Sequence, residues 1–133
     1  MERKAVVIKE SIDRSRCIAI DKENANDLLE FFYQDNRYKK KFNFICDLIL
    51  GNHQNRELYD KEEPDGLSKG VRAMKFFKGQ ENARVYCKEV KQEDKTFVVV
   101  AVEVLERKKQ QKLTDKEINI IHRVANYEYN EFE

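Results

Sequence analysis

Three side chains suited to binding phosphate lie at alternating positions of one predicted strand. The segment from Ala83 to Val90 alternates between apolar and polar residues, which is typical of a strand with one buried face. Because side chains two positions apart share a face of a strand, Arg84, Tyr86 and Lys88 should project together. Arginine offers a planar fork of donors that matches phosphate, and tyrosine offers a stacking face and a hydroxyl. This face is therefore the first candidate for anion chemistry.

A carboxylate, Glu103, interrupts the apolar strand Phe97–Leu105 and must face a partner or water. The turn near Glu93 sets an approximate register between the two strands. It places Arg84 opposite Val102, or opposite Glu103 with a slip of one position. One interpretation is an ordinary Arg84–Glu103 ion pair on a solvated sheet face. The other is a carboxylate held beside a phosphate-binding arginine, where it could act as a general base.

Two further groups of cations flank these strands, one in the loop before the arginine strand and one after the apolar strand. They are Lys75, Lys78, Arg107, Lys108, Lys109 and Lys112. Charge runs in loops are usually solvated surface, so each group alone indicates little. Phosphate affinity sums over contacts, so convergence of these cations around Arg84 would create a binding surface. We therefore predict that they meet on one concave face.

The bulk composition sets limits on the function. The chain has 133 residues, which is enough for one domain with a single core. Its 26 Lys and Arg residues and 25 Asp and Glu residues nearly cancel, so only a local patch could attract nucleic acid. The GxSxG, P-loop and GxGxxG motifs are absent, which disfavours the enzyme classes that depend on them.

The cysteines and histidines predict no metal centre and no cofactor. The cysteines stand far apart in apolar runs, so we expect free, buried thiols in a reducing cytoplasm; they are Cys17, Cys46 and Cys87. His53 and His122 lack the spacing of metal ligands, and the acidic Glu62–Asp65 segment is interpreted as a solvated turn in preference to a metal site. No apolar run is long enough to span a bilayer, and no signal peptide is expected. The predicted localisation is cytoplasmic.

The order of local patterns predicts one α+β domain over residues 1–133. Residues 1–20 should form an added N-terminal hairpin, and residues 21–51 should form a pair of helices. The polar residues 52–70 should be the least structured segment. Residues 71–133 should form the sheet and a C-terminal helix. We predict a small curled antiparallel sheet with the two N-terminal helices packed on one face.

Local signals also mark the helix ends. Asp35 and Asn36 should separate the first two helices, and Gly51 stands where a left-handed C-terminal cap is expected. Thr114 and Glu117 have the spacing of a capping box, which predicts the start of the last helix.

Several features of the second half of the chain occur together in a recognisable order. A leucine-containing approach to an arginine, Leu67–Arg72, is followed by a strand with the sequence Arg84–Tyr86. An apolar strand then leads into the basic stretch Leu105–Gln111, and a helix begins after Thr114. This order, over about residues 67–127, resembles the RelE/HigB superfamily of bacterial toxins, particularly its phage-derived HigB-like branch.

The resemblance implies the toxin of a toxin–antitoxin system, acting as a ribosome-dependent, metal-independent mRNA endoribonuclease. In such enzymes the ribose 2′-hydroxyl attacks its own 3′-phosphate, leaving a cyclic phosphate and a 5′-hydroxyl. The resemblance implies catalytic roles for Arg84 as phosphate clamp, Glu103 as base, and Tyr86 as a stacking or donating group. The implied RNA-binding cations are Lys75, Lys78, Lys88, Arg107, Lys108, Lys109 and Lys112. The implied partners are a cognate antitoxin, the ribosome and mRNA.

One departure from the family pattern leaves alternatives open. Many HigB-like relatives have a histidine in the last strand, where this chain has Glu103. A non-catalytic protein of the same fold, which binds a partner protein or nucleic acid, is the second hypothesis. An unrelated small α+β domain whose basic residues only keep it in solution is the third.

Overall fold

The computed structural model describes residues 1–106 and 114–133. The strands are β1 (Glu2–Glu10), β2 (Arg16–Asp21), β3 (Tyr59–Lys61), β4 (Val71–Phe76), β5 (Ala83–Lys91), β6 (Phe97–Leu105) and β7 (Glu128–Phe132). The helices are α1 (Ala25–Phe32), α2 (Asn36–Leu50) and α3 (Asp115–Asn126), with one 3-10 turn at Gly66–Ser68.

The seven strands form one large mixed sheet in the order β3-β4-β5-β6-β2-β1-β7. β2 runs parallel to β6, and β1 runs parallel to β7, whereas the other neighbours are antiparallel. The predicted small curled antiparallel sheet is therefore wrong. The predicted N-terminal hairpin forms as β1 and β2, but β2 lies in the interior of the sheet, between β6 and β1. Parallel pairs join segments far apart in the chain, and no local pattern signals such pairing.

The three helices divide over the two faces of this sheet. Helices α1 and α2 pack on one face around a cluster of aromatic rings, where Phe32 and Phe42 stack with ring centroids 3.7 Å apart. Helix α3 packs on the other face, where Ile121 and Val124 are fully buried against β-strand residues. The sheet is thus covered on both sides, and this explains why β6 reads as an almost continuous apolar run.

The helix ends follow most of the predicted signals. The Asp35 carboxylate accepts from the Tyr38 N–H at 2.8 Å, and the Thr114 hydroxyl accepts from the Glu117 N–H at 3.2 Å. The predicted left-handed cap at Gly51 is wrong, because Gly51 has φ −84° and the next residue, Asn52, takes the left-handed conformation at φ 55°. Asparagine tolerates this region better than most residues.

Residues 1–106 and 114–133 contain no helix with the length and apolar character needed to cross a membrane.

The buried thiols lead to a first prediction. All three cysteines are free and buried, and burial raises the pKa of Cys46 to about 12 and also raises that of Cys87 and of Cys17. Because the thiolate is the reactive form, a disulfide reagent at mildly alkaline pH should leave the folded chain unmodified. The same reagent should label all three thiols in denaturant. Rapid labelling of Cys46 or Cys87 in the folded chain would contradict this prediction.

Candidate functional site

Arg84 is the central residue of the candidate site. Its side chain is only 7% exposed, and it projects from β5 between Lys75 on β4 and Leu105 on β6, which are its two cross-strand partners. Its Nε and Nη1 atoms are enclosed, and neither has a hydrogen-bond partner in the described part of the chain. A buried donor without a partner is uncommon in native proteins and calls for a specific explanation.

Tyr86 extends the same face of β5. Its ring is fully buried in the cluster beneath α3, whereas its neighbours Val85 and Cys87 belong to the cluster on the α1–α2 face. The predicted sharing of faces along β5 is therefore confirmed, but both faces are buried and not only one. The Tyr86 hydroxyl is enclosed and has no hydrogen-bond partner among residues 1–106 and 114–133. Burial raises the pKa of Tyr86, so the hydroxyl keeps its proton and remains a donor.

Lys75 places a second positive charge beside the guanidinium. It stands directly across from Arg84, and its Nζ donates to the Arg56 carbonyl at 3.2 Å. Burial lowers the pKa of Lys75, and the neighbouring charge of Arg84 lowers it further, as does that of Lys78 to a smaller extent. These cations therefore oppose one another, and an anion between them would relieve the repulsion.

Two carboxylates, Glu62 and Glu117, lie near enough to act on the Tyr86 hydroxyl. The sequence predicts a solvated turn at Glu62–Asp65, yet the charge of Glu62 also acts on Lys75. Glu62 directly follows β3, and its N–H donates to the Val71 carbonyl at 2.9 Å. The residue types of this segment do not indicate that contact with β4.

Glu103 reaches the same face through a β-bulge. Tyr86 pairs with Glu103 and Cys87 pairs with Ala101, so Val102 is left as an extra residue in β6. The Asn24 side-chain amide donates to the Val102 carbonyl at 2.8 Å and so provides a hydrogen bond to the extra residue of the bulge. Such a bulge changes which side of a strand the following residues occupy.

The predicted register between these strands is therefore wrong by two to three positions. Arg84 stands opposite Leu105 and not opposite Val102 or Glu103. The turn centres on Asp94, since Lys91 pairs with Phe97, and the bulge adds a further shift. Neither feature follows from the alternation of residue types.

Glu103 is paired with a different arginine from the predicted one. Its carboxylate accepts from Arg123 of α3, with Nε to Oε2 at 3.1 Å and a second contact from Nη2. This hydrogen bond is the main reason that the pKa of Arg123 is raised. Glu103 is thus occupied as an acceptor, which weakens its suitability as a general base.

Glu103 also lines a cleft of about 970 Å³ between α1 and α3 at the carboxyl end of β6. The strands β2 and β6 are parallel neighbours whose following helices cover opposite faces, and open α/β sheets often bind ligands at such a point. The charged lining is mainly acidic: Asp27, Glu30, Glu103 and Glu106 against Lys116 and Arg123. This cleft therefore disfavours phosphate and is distinct in charge from the surroundings of Arg84.

Lys88, a predicted RNA-binding residue, is engaged by the end of α3. Its Nζ donates to the Ala125 carbonyl at 2.7 Å and also to the Tyr127 carbonyl. The last carbonyls of a helix lack intrahelical partners and carry partial negative charge, so a lysine here stabilises the helix. Burial lowers the pKa of Lys88.

The Lys88→Met substitution should therefore reduce stability. We expect a loss of about 1–3 kcal/mol in the free energy of unfolding, because a charged donor to two carbonyls is removed. Urea unfolding followed by circular dichroism measures the change. An unchanged midpoint would show that the ammonium group contributes nothing to the end of α3.

The remaining predicted cations are Lys78 and four residues that follow β6 in the chain. Lys78 is exposed after β4, and Arg107, Lys108, Lys109 and Lys112 lie outside the described residues. Within residues 1–106 and 114–133, no group of three or more His, Cys, Asp or Glu side chains could hold a metal ion. The arrangement that remains is three donors on Arg84 and Tyr86 that have no partner in the part of the chain that the structure describes, with Lys75 beside them. Such a set can bind an anion.

Comparison with models of protein families, with curated proteins and with solved structures finds no match for this chain. A functional conclusion must therefore come from the chemistry of the site.

Proposed function

We propose that the protein binds a phosphate-bearing ligand and that Arg84 is its principal contact. The observation that carries this proposal is the enclosed pair of donors, Nε and Nη1, which lack partners within the described residues. A buried guanidinium with unpaired donors costs a folded protein several kcal/mol, on the order of the values known for buried ions. A bound anion supplies the missing acceptors and removes that cost.

The number of donors on this strand face favours phosphate over a carboxylate. The Nε and Nη1 atoms of an arginine form one edge of its fork and can contact two oxygens of the same anion. The Tyr86 hydroxyl, two positions along the same strand face, offers a third donor, and Lys75 adds charge across the strand pair. A tetrahedral phosphate has enough oxygens for all three residues, whereas a carboxylate has only two.

RNA cleavage stays a prediction that comes from the RelE/HigB resemblance, as do the antitoxin, ribosome and mRNA as partners. Two residues needed for it have other contacts: Glu103 is paired with Arg123, and Lys88 contacts the end of α3. Binding requires only the Arg84 and Tyr86 donors, which have no partner among the described residues, so the contacts support binding better than cleavage. The second hypothesis from the sequence is a non-catalytic binding protein. It shares with this proposal a binding function without catalysis.

Isothermal titration calorimetry with inorganic phosphate tests the proposal. We expect a saturable heat for one site, with chloride at matched ionic strength as the reference. Sulfate, a tetrahedral anion of similar size, should compete. The Lys88→Met variant serves as a matched control. Lys88 is a cation on the same face of β5 as Arg84, but its ammonium group donates to the end of α3. Heats with phosphate that equal those with chloride would overturn the proposal.

A labelled RNA incubated with the same protein separates binding from catalysis. Intact RNA together with saturable phosphate binding would support a binding function. Products that end in a 2′,3′-cyclic phosphate, formed by the natural chain and not by an Arg84→Met variant, would establish cleavage instead.

A further inference from the structure

Two adjoining clefts open on the side of the sheet opposite Arg84, beside the C-terminal end of α2. One has a volume of about 670 Å³ and the other about 540 Å³. Arg16, Asn52 and Phe97 line both, so the two clefts form a continuous groove, which we call the α2 groove. Arg72 and Glu89 line the first cleft from β4 and β5.

The α2 groove carries a surplus of positive charge. Six cations line it, namely Arg16, Arg56, Lys61, Arg72, Lys91 and Lys95, against the carboxylates Asp13, Asp60 and Glu89. Of the six, only Arg72 forms an ion pair within the described residues, with Glu89 at 3.3 Å. The other five charges are available to a ligand. The near-neutral chain thus separates its charges, with the acidic cleft between α1 and α3 and the basic groove at another site.

Arg16 is held in a fixed position at the centre of the groove. Its Nε donates to the Ile49 carbonyl at 2.7 Å, and its guanidinium lies 4.3 Å from the centroid of the Phe97 ring. One planar face is therefore backed by an aromatic ring. The guanidinium plane of an arginine is a surface on which an unpaired base can stack.

Amide side chains complete the lining. Asn52, Gln54 and Asn55 border the larger cleft, and Tyr59 lies beside them. Amides both donate and accept hydrogen bonds, as the edges of unpaired bases require. A lipid surface would instead need exposed apolar side chains that project outward, whereas these residues line a concavity.

We propose that the α2 groove binds single-stranded nucleic acid, with its cations along the backbone and Arg16 beneath a base. The combination of a basic groove with a planar stacking surface is the usual design for binding single strands. This proposal is independent of the phosphate site, because Arg84 projects from the opposite face of the sheet.

Fluorescence anisotropy with a fluorescein-labelled oligouridine tests this proposal on the full chain. The test variant combines Arg56→Gln, Lys61→Gln and Lys91→Gln, all at exposed positions. We expect its affinity to fall by about 10-fold or more, and the slope of log K against log salt to decrease by about 2, since each phosphate contact of a single strand contributes about 0.7.

A matched variant with Lys39→Gln, Lys40→Gln and Lys116→Gln removes the same charge from exposed positions outside the groove. It should keep most of the affinity and the salt slope. Equal losses in both variants would overturn the proposal, as would wild-type binding by the groove variant. Binding to phosphatidylserine vesicles without binding to the oligonucleotide would also overturn it. An Arg84→Met variant that binds oligouridine normally would support the independence of the two sites.

Discussion

The Arg84→Met variant is expected to bind inorganic phosphate at least about 100-fold more weakly than the natural chain, while unfolding no more easily. The affinity should fall because two charge-assisted hydrogen bonds are lost, each worth about 1.5–3 kcal/mol. Stability should be unchanged or should rise by about 1–4 kcal/mol, because an apolar side chain of similar volume replaces a buried guanidinium whose Nε and Nη1 have no partner within residues 1–106 and 114–133. Urea unfolding without ligand and calorimetry with phosphate measure the two effects.

The combination of these results separates a ligand site from a structural role. If Arg84 held the fold together, Arg84→Met would be less stable by several kcal/mol, and that outcome would contradict a ligand-binding role for Arg84. Arg84→Lys is the conservative control. It keeps the charge and loses the planar fork, so it should retain only part of the affinity.

The Asp21→Ala variant is expected to lower the free energy of unfolding by about 3–5 kcal/mol, the range known for breaking a buried ion pair. Asp21 is fully buried at the end of β2 and accepts from Arg3 through Nε and Nη2, both at 3.0 Å. The Tyr129 hydroxyl donates to it at 2.5 Å and the Asn24 N–H at 2.9 Å. Its loss would leave the Tyr129 hydroxyl buried without this acceptor, and it would leave Arg3 with Glu23 as its carboxylate partner within the described residues.

Glu131→Ala is the matched control for this prediction. Glu131 pairs with Lys4 at 3.5 Å, but both side chains are more than half exposed. Exposed pairs contribute little, so this variant should change stability by no more than about 0.5 kcal/mol. Chemical denaturation of both variants gives the comparison. An Asp21→Ala chain as stable as Glu131→Ala would show that the network around Asp21 does not hold β1, β2 and β7 together.

Features of the fold that depend on local sequence could be predicted. The alternation of β5 identified the shared face of Arg84 and Tyr86, because the two-residue period of a strand is a property of the backbone itself. Thr114 marked a helix start for the same reason, and Asp35 marked the break between α1 and α2, since each side chain accepts from a backbone N–H only three residues away.

Features that depend on distant segments could not be predicted. The pairing of β2 with β6 joins residues about eighty positions apart, and the pairing of β1 with β7 joins the two ends of the chain. The bulge at Val102 depends on a hydrogen bond from Asn24, on another element. An isolated strand pattern carries no information about such contacts, so the sheet was expected to be smaller and wholly antiparallel.

In the candidate site, too, local features could be predicted and contacts between distant segments could not. Residue types identified Arg84, Lys75 and Lys88 equally as cations. Only the packing of α3 distinguishes Lys88, which contacts helix carbonyls, from Arg84, which has enclosed donors without partners in the described residues. A sequence shows which residues are charged. It does not show whether a partner for a given charge lies nearby in the fold.

The most direct test of the phosphate site is the nuclear magnetic resonance signal of the Arg84 Nε–H group, assigned by its absence from the spectrum of Arg84→Met. Titration with inorganic phosphate should move this signal saturably, while chloride at the same ionic strength leaves it in place. We expect the Arg84 signal to shift more than any other arginine Nε–H signal. An Arg84 signal that stays unmoved at millimolar phosphate would show that Arg84 does not bind phosphate.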